Sequence, residues 1–166
     1  MKLKANSSNL KAMPATFGGG CFWGVEENFR VLSGVTETAV GFMGGPNPIT
    51  YDESHTDSTG HAEVVHLSYD SEKVSYEELL KVFFENHDPT QVNRQGPDVG
   101  TQYRSVIFYH DENQKESAEK FKKELQDSEK YGALTIATEI APAKEFYVAD
   151  EYHQKYLNKR GLKTCN

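Results

Sequence analysis

The sequence predicts an α+β fold in one domain, a two-layer sandwich in which helices pack on a mixed sheet. Segments of period 2 and period 3.6 follow one another along 166 residues as strand, helix, strand, strand, helix, strand, helix, strand, helix. The first six, β-α-β-β-α-β, have the ferredoxin-like order. No repeat, low-complexity stretch or internal linker breaks the series, and the length suits a single domain over residues 1–166. Residues 1–14 read as an N-terminal arm and 158–166 as a mobile, irregular tail.

Ala15-Thr16-Phe17 is the first strand, and it runs into Gly18-Gly19-Gly20-Cys21-Phe22-Trp23-Gly24. Phe22, Val25, Phe29 and Leu32 then recur at helical spacing. Cys21 therefore sits where a strand turns into a helix, and the glycines allow a sharp turn there. Val35 to Gly41 is rich in β-branched residues and reads as a strand. A turn-rich loop from Phe42 to Gly60 carries Tyr51. In the strand from Glu63 to Tyr69, Glu63 shares the more apolar face with Val65, Leu67 and Tyr69, while His66 and Ser68 point away.

Ser75-Tyr76-Glu77-Glu78 is a capping box, and the helix behind it ends near Asn86. A second long loop, residues 87–103, holds Arg94 and Asp98 and ends at Tyr103. Ser105 to Tyr109 is an apolar strand. Asp111 through Ser128 is a surface helix with a narrow stripe of Ala118, Phe121 and Leu125. Leu134, Ile136, Thr138 and Ile140 alternate as a further strand, and Asp150 caps a short last helix through Leu157. Unstructured loops as long as the first two are usually functional or disordered.

Composition narrows the function classes. Hydrophobic residues at 37% and charged residues at 26% fit a globular protein, and a net charge of −7 argues against a nucleic-acid partner. No apolar run reaches the roughly 20 residues of a membrane span, and residues 1–14 lack the apolar core of a signal peptide. The two cysteines, Cys21 and Cys165, lie at opposite ends of the chain, which is neither a disulfide framework nor a zinc motif. A reducing, cytoplasmic setting and a monomer are the expectations. His61 and His87 have no partner at ligand spacing, so no metal or other cofactor is expected.

The chemistry points to Cys21. A lone cysteine is ordinarily a small buried hydrophobe, but unpaired N–H groups and the helix dipole at a glycine-rich helix start favour a thiolate. Glu63 is either a rim residue or a partly buried acid with a raised pKa. On spacing alone, Tyr51 could be a surface residue, Tyr103 and Trp23 core, Asp98 a turn residue and Arg94 a brace for its loop.

Gly20-Cys21-Phe22-Trp23-Gly24, Gly60-His61-Ala62-Glu63 and Gly100-Thr101-Gln102-Tyr103-Arg104-Ser105 resemble segments of the peptide methionine sulfoxide reductases of the A class. So do Asn47-Pro48-Ile49-Thr50-Tyr51, His87-Asp88-Pro89-Thr90-Gln91 and Asn93-Arg94-Gln95-Gly96, in the same order, from about Ala15 to Leu157. The resemblance implies a repair enzyme that reduces the S epimer of methionine sulfoxide, free or in proteins. It implies Cys21 as nucleophile, Glu63 as the acid, Tyr51 and Tyr103 as hydrogen-bonding tyrosines and Asp98 as a supporting carboxylate. Phe22 and Trp23 would form the aromatic wall for the S-methyl group. Cys165 would resolve a sulfenic acid on Cys21 as a disulfide, with thioredoxin or a similar dithiol as reductant. The chain departs from the family at Phe42, where tyrosine is commoner, and at Arg160-Gly161-Leu162-Lys163-Thr164, just before Cys165. Rival readings are a thiol peroxidase, a cysteine hydrolase using His61 or His87, and a peptide-binding module with an inert Cys21.

Overall fold

The computed structural model describes residues 12–56 and 59–164. Its elements are β1 (Ala12–Gly18), α1 (Phe22–Arg30), β2 (Val35–Met43), β3 (Ala62–Asp70), α2 (Tyr76–Glu85), the two-residue strands β4 (Arg94–Gln95) and β5 (Asp98–Val99), β6 (Val106–Tyr109), α3 (Glu112–Asp127), β7 (Glu139–Pro142), β8 (Tyr147–Val148) and α4 (Tyr156–Lys159). Six strands make one sheet in the order β7-β6-β1-β3-β2-β8, while β4 and β5 form a separate hairpin. Every neighbouring pair in the large sheet is antiparallel except β6 and β7, so the sheet is mixed.

Strand parity decides which side the helices cover. Ala15 and Phe17 of β1 and Val65, Leu67 and Tyr69 of β3 face one way, and against them pack Val25 and Phe29 of α1 and Leu79, Leu80, Phe83 and Phe84 of α2. Phe17 is the hub, stacked on Phe29 with ring centroids 4.9 Å apart and tilted against Phe83 at 5.2 Å. Truncation of so buried a phenylalanine to alanine typically costs about 3–5 kcal/mol. The opposite face carries a smaller cluster of Met43, Ala62, Val64, Val106 and Phe108. Helix starts follow local sequence: Ser75 accepts a hydrogen bond from Glu78 N–H at 3.1 Å, and Asp111 accepts one from Gln114 N–H at 2.8 Å.

Three expectations change. β1 begins at Ala12 rather than Ala15, so Ala12, Met13 and Pro14 belong to the sheet, paired with Asp70, Tyr69 and Ser68; residues 1–11 of the expected arm lie outside the described residues. Pro14 is tolerated because the β6 side of β1 is paired only from Thr16 to Gly18. The strand expected over 134–140 is displaced to β7, which pairs with β6 over residues 139–142. Upstream the backbone bonds go elsewhere, from Ile136 N–H to the Gln126 side chain and from Ala137 N–H to the Pro89 carbonyl. The last helix splits into a 3₁₀ turn, Glu151–His153, and α4, because Gln154 is extended and Lys155 left-handed between them. The tail is described as far as Thr164, and Leu162 N–H there bonds back to the Leu157 carbonyl at 2.8 Å. Cys165 lies outside the described residues.

On the face away from α1 and α2, the Thr16 hydroxyl lies 2.7 Å from His66 Nδ1 and 2.8 Å from His110 Nε2. Burial, and then the neighbouring His110, pushes the His66 pKa down from 6.5 to about 4, and burial lowers His110 as well. His87 is also lowered to about 4 by burial, with Nδ1 against the Phe83 carbonyl and Nε2 against the Ser105 hydroxyl. Folded-state values below the unfolded 6.5 mean that the unfolded chain binds the extra protons. These histidines stabilise the fold fully above about pH 6.5, and that contribution is lost as pH falls from there toward 4. Urea unfolding should show stability dropping in this window by up to about 1.4 kcal/mol per pH unit for each histidine. A flat profile there would contradict neutral burial.

Candidate active site

Cys21 is the N-cap residue of α1, reached from β1 through Gly18, Gly19 and Gly20. Gly20 has φ +100°, and a Cβ there would meet the Gln95 side chain at 2.9 Å, so glycine is required on both counts. The turn leaves the Cys21 side chain partly exposed at the helix end. The next residue, Phe22, gives its backbone N–H to Glu63 Oε1 at 3.1 Å. Glu63 is fully buried at the start of β3, on the helix-covered face as its parity predicts. One of the unpaired donors of the helix start is thus spent on the carboxylate.

Tyr51 and Tyr103 come from the two long loops and meet here. Burial, followed by the charges of Glu63, Cys21 and Asp98, pushes the Tyr51 hydroxyl up to about 12. Burial and then Glu63, Tyr51, Asp98 and Cys21 raise Tyr103 further. Both are neutral phenols at any ordinary pH and so retain a proton to donate. Cys21, Glu63, Tyr51, Asp98 and Tyr103 interact electrostatically although they are drawn from four separate stretches of chain. Asp98 opens β5, opposite Gln95 of the hairpin.

An aromatic wall stands beside Cys21. Phe22 is completely buried and lies behind Tyr51, with ring centroids 6.0 Å apart. Trp23 is half-buried, parallel to Tyr51 at 6.4 Å and stacked on Tyr156 at 3.6 Å. Trp23 Nε1–H donates to His153 Nδ1 at 3.1 Å, and the His153 ring packs on Tyr51 at 4.3 Å. Burial lowers the His153 pKa, which keeps that nitrogen an acceptor. Phe42, paired with Glu63 across β2 and β3, fills the space behind Phe22 at 5.7 Å. On another side of Cys21 a cleft of about 370 Å³ is lined by Gly19, Asn28, Gln95, Pro97, Lys163 and Thr164.

Two histidines and two arginines brace the loops. His61 accepts from Gly45 N–H at 3.1 Å through Nδ1, and its Nε2–H donates to the Asn47 carbonyl. Arg104 donates to the carbonyls of Thr101 and Gly60, both at 3.0 Å, joining the two loops. Arg94 braces its hairpin through the Gly96 carbonyl at 2.6 Å. With both ring nitrogens of His61 and of His87 engaged structurally, neither histidine serves Cys21 as the base a cysteine hydrolase needs. Among the described residues no group of three or more His, Cys, Asp or Glu side chains could hold a metal ion.

The profile of the family described as peptide methionine sulfoxide reductase matches residues 13–166. The chain belongs to that family. A relative from Methanoculleus marisnigri, named peptide methionine sulfoxide reductase MsrA, is 58% identical over 153 residues, covering 91% of this chain and 92% of the relative. The reduced form of Mxr1 from Saccharomyces cerevisiae superposes with a TM-score of 0.86 at 38% identity, covering 95% of this chain and 90% of that one. Mxr1 in complex with Trx2 matches with a TM-score of 0.64 at 29% identity over 93% of this chain and 89% of that one. The chain is accordingly an α+β oxidoreductase that reduces methionine sulfoxide.

Sequence reasoning gathered Cys21, Glu63, Tyr51, Tyr103, Asp98, Phe22 and Trp23, and the structure brings all seven together. It missed His153 and Tyr156, for which the only signal was the aromatic-rich run Tyr152-His153-Gln154-Lys155-Tyr156. They reach Trp23 because Gln154 is clamped to β2, accepting from Val40 N–H at 2.8 Å and donating to the Val40 and Ala149 carbonyls at 2.9 Å each. Gln154→Ala should cost about 2 kcal/mol in urea unfolding, because it leaves buried backbone groups of β2 without those partners. The indole fluorescence of Trp23, the only tryptophan, should shift as its cover loosens. An unchanged midpoint and spectrum would show that the clamp is dispensable.

Proposed function

We propose that this chain reduces the S epimer of methionine sulfoxide, free or within proteins, through a sulfenic acid on Cys21. The observation that carries the reading is the bond from Phe22 N–H to buried Glu63, which supports Glu63 as an acid acting beside Cys21, with two neutral tyrosines nearby. The Cys21 thiolate attacks the sulfoxide sulfur while Glu63 protonates its oxygen. The S–S bond formed by that attack then breaks as the S–O bond of the substrate is cleaved and its protonated oxygen passes to Cys21. Methionine leaves with the electron pair and Cys21–SOH remains, so that sulfur is reduced in the substrate and oxidised in the enzyme. Burial of Glu63 favours its protonated form, as the step requires. Tyr51 and Tyr103 donate to the same oxygen, Asp98 supports them, and Phe22 and Trp23 bound the S-methyl pocket.

Cys165–SH then condenses with Cys21–SOH to give a disulfide and water. Thr164, the residue before Cys165 in the sequence, lines the cleft that contains Cys21, which supports this. Thioredoxin or a similar dithiol reduces the disulfide by exchange, a role supported by the relative Mxr1 in its complex with Trx2. The enzyme acts in oxidative damage repair as a cytoplasmic monomer of one domain. Two distant cysteines support that setting, and no described helix is long and apolar enough to cross a membrane. The strand order β6-β1-β3-β2, with α1 and α2 as the intervening helices, supports a ferredoxin-like core.

A single-turnover assay tests the reading: reduced protein, racemic methionine sulfoxide and no added reductant. About one methionine per chain should form from one epimer only, with loss of both thiols. Methionine with Cys165 still reduced would keep the first step and reject internal resolution, and no methionine from folded protein would reject the reading. Cys21→Ser should abolish turnover, whereas Glu63→Gln should slow the chemical step about 10²- to 10⁴-fold, the usual worth of general acid help. Cys165→Ser should keep the first turnover and lose recycling by thioredoxin; normal recycling would refute its role.

A further inference from the structure

His55 stands between the two site tyrosines in a 3₁₀ turn, Glu53–Thr56. Its Nδ1 is 3.0 Å from the Tyr51 carbonyl oxygen, its ring meets the Tyr51 ring edge-on at 4.8 Å, and its Nε2 is 3.4 Å from the Tyr103 hydroxyl. The imidazole is exposed to solvent. Unlike His61 and His87, it directs a ring nitrogen at a group of the site itself.

A carbonyl oxygen only accepts, so Nδ1 carries a hydrogen and, in the neutral ring, Nε2 is the acceptor. The Tyr103 hydroxyl then donates its hydrogen to His55, away from a sulfoxide oxygen. When the ring is protonated, Nε2–H becomes the donor, the Tyr103 oxygen accepts, and its hydrogen is free for the substrate. A phenol that accepts a charge-assisted hydrogen bond is also a better donor. Asp52 and Glu53 flank His55 on its own turn. From the other elements the facing groups are Tyr51 and Tyr103, backed by Glu63, Asp98 and Cys21.

We infer that His55 is a positioning residue for the Tyr103 hydroxyl, turning it toward the sulfoxide oxygen when the imidazole is protonated. The inference rests on the sulfoxide-reducing role of this site. The experiment compares single-turnover rates of methionine formation for wild type, His55→Phe and His55→Gln from about pH 5.5 to 8.5. Phenylalanine preserves the ring packing and removes the nitrogen. The ratio of wild-type to His55→Phe rates cancels ionisations that the two share, Cys21 and Glu63 included. It should fall from about tenfold on the acid side, the worth of one charge-assisted hydrogen bond, to one or below on the alkaline side, where the neutral ring draws the Tyr103 hydrogen away and phenylalanine does not. Glutamine, whose amide can donate at every pH, should remove the same ionisation with less loss on the acid side. A ratio that stays constant across the range is what a merely structural residue would give, and it would overturn the inference. In ¹⁵N spectra the His55 Nε2 resonance should move in Tyr103→Phe, whether or not methionine forms. An unmoved resonance would remove the contact and the inference with it, and absence of methionine from wild type would instead reject the reading of the site.

Discussion

The hydrogen bond from Phe22 N–H to Glu63 Oε1 is the contact on which the site depends. It joins the first turn of α1 to the buried end of β3, so the residue before the helix and the carboxylate in the sheet cannot drift apart. β1 must run close beside β3 for the bond to form. A Cβ on Gly18 would come within 2.9 Å of the Glu63 carbonyl oxygen, so the glycine run sets a distance as well as a turn. The positive end of the helix dipole and a buried carboxyl group are thereby set side by side.

Tyr51, Tyr103 and His153 arrive outside the long helices and strands, and polar side chains hold those segments in place. His61 and Arg104 fix the loop that brings Tyr51, and Arg104 also fixes the loop that brings Tyr103. Gln154 and Glu26 fix the segment that brings His153 and Tyr156. Glu26 accepts from the Thr38 hydroxyl at 2.8 Å and from Lys155 N–H at 2.6 Å while only 1% exposed. Backbone groups in loops have no ladder partners, and a buried side chain that satisfies them fixes the loop in one course. Arg160 adds a cation over the Tyr156 face at 3.6 Å, closing a stack of Trp23, Tyr156 and guanidinium.

The two phenols show how packing sets chemistry. Tyr51 and Tyr103 have little water around them and carboxylate charges nearby, so loss of their protons is suppressed. They keep their protons at every pH at which the fold survives, so each hydroxyl retains a hydrogen to donate, and for Tyr103 the neighbour within reach of that hydroxyl is His55.

Periodicity by itself determined most of the regular structure: α1 from Phe22, Val25 and Phe29, α2 from its serine cap, and β3 with Glu63 on the apolar face. These are local properties, since side chains repeat every 3.6 or 2 residues whatever lies beyond them. The glycine-led Cys21 was legible for the same reason, and short motifs marked Tyr51, Asp98 and Tyr103 as residues to watch. Only the tertiary structure decided that β1 extends back to Ala12, because the pairing with β3 reaches that far although Pro14 argues against a strand. It alone moved the strand expected at 134–140 onto Glu139–Pro142, since the backbone of 136 and 137 bonds to Gln126 and Pro89 instead. His153, Tyr156 and His55 carry no periodic signal. Their place beside residues that lie tens of positions away in the chain is set by which buried polar groups capture which loops, and that depends on contacts no local pattern encodes.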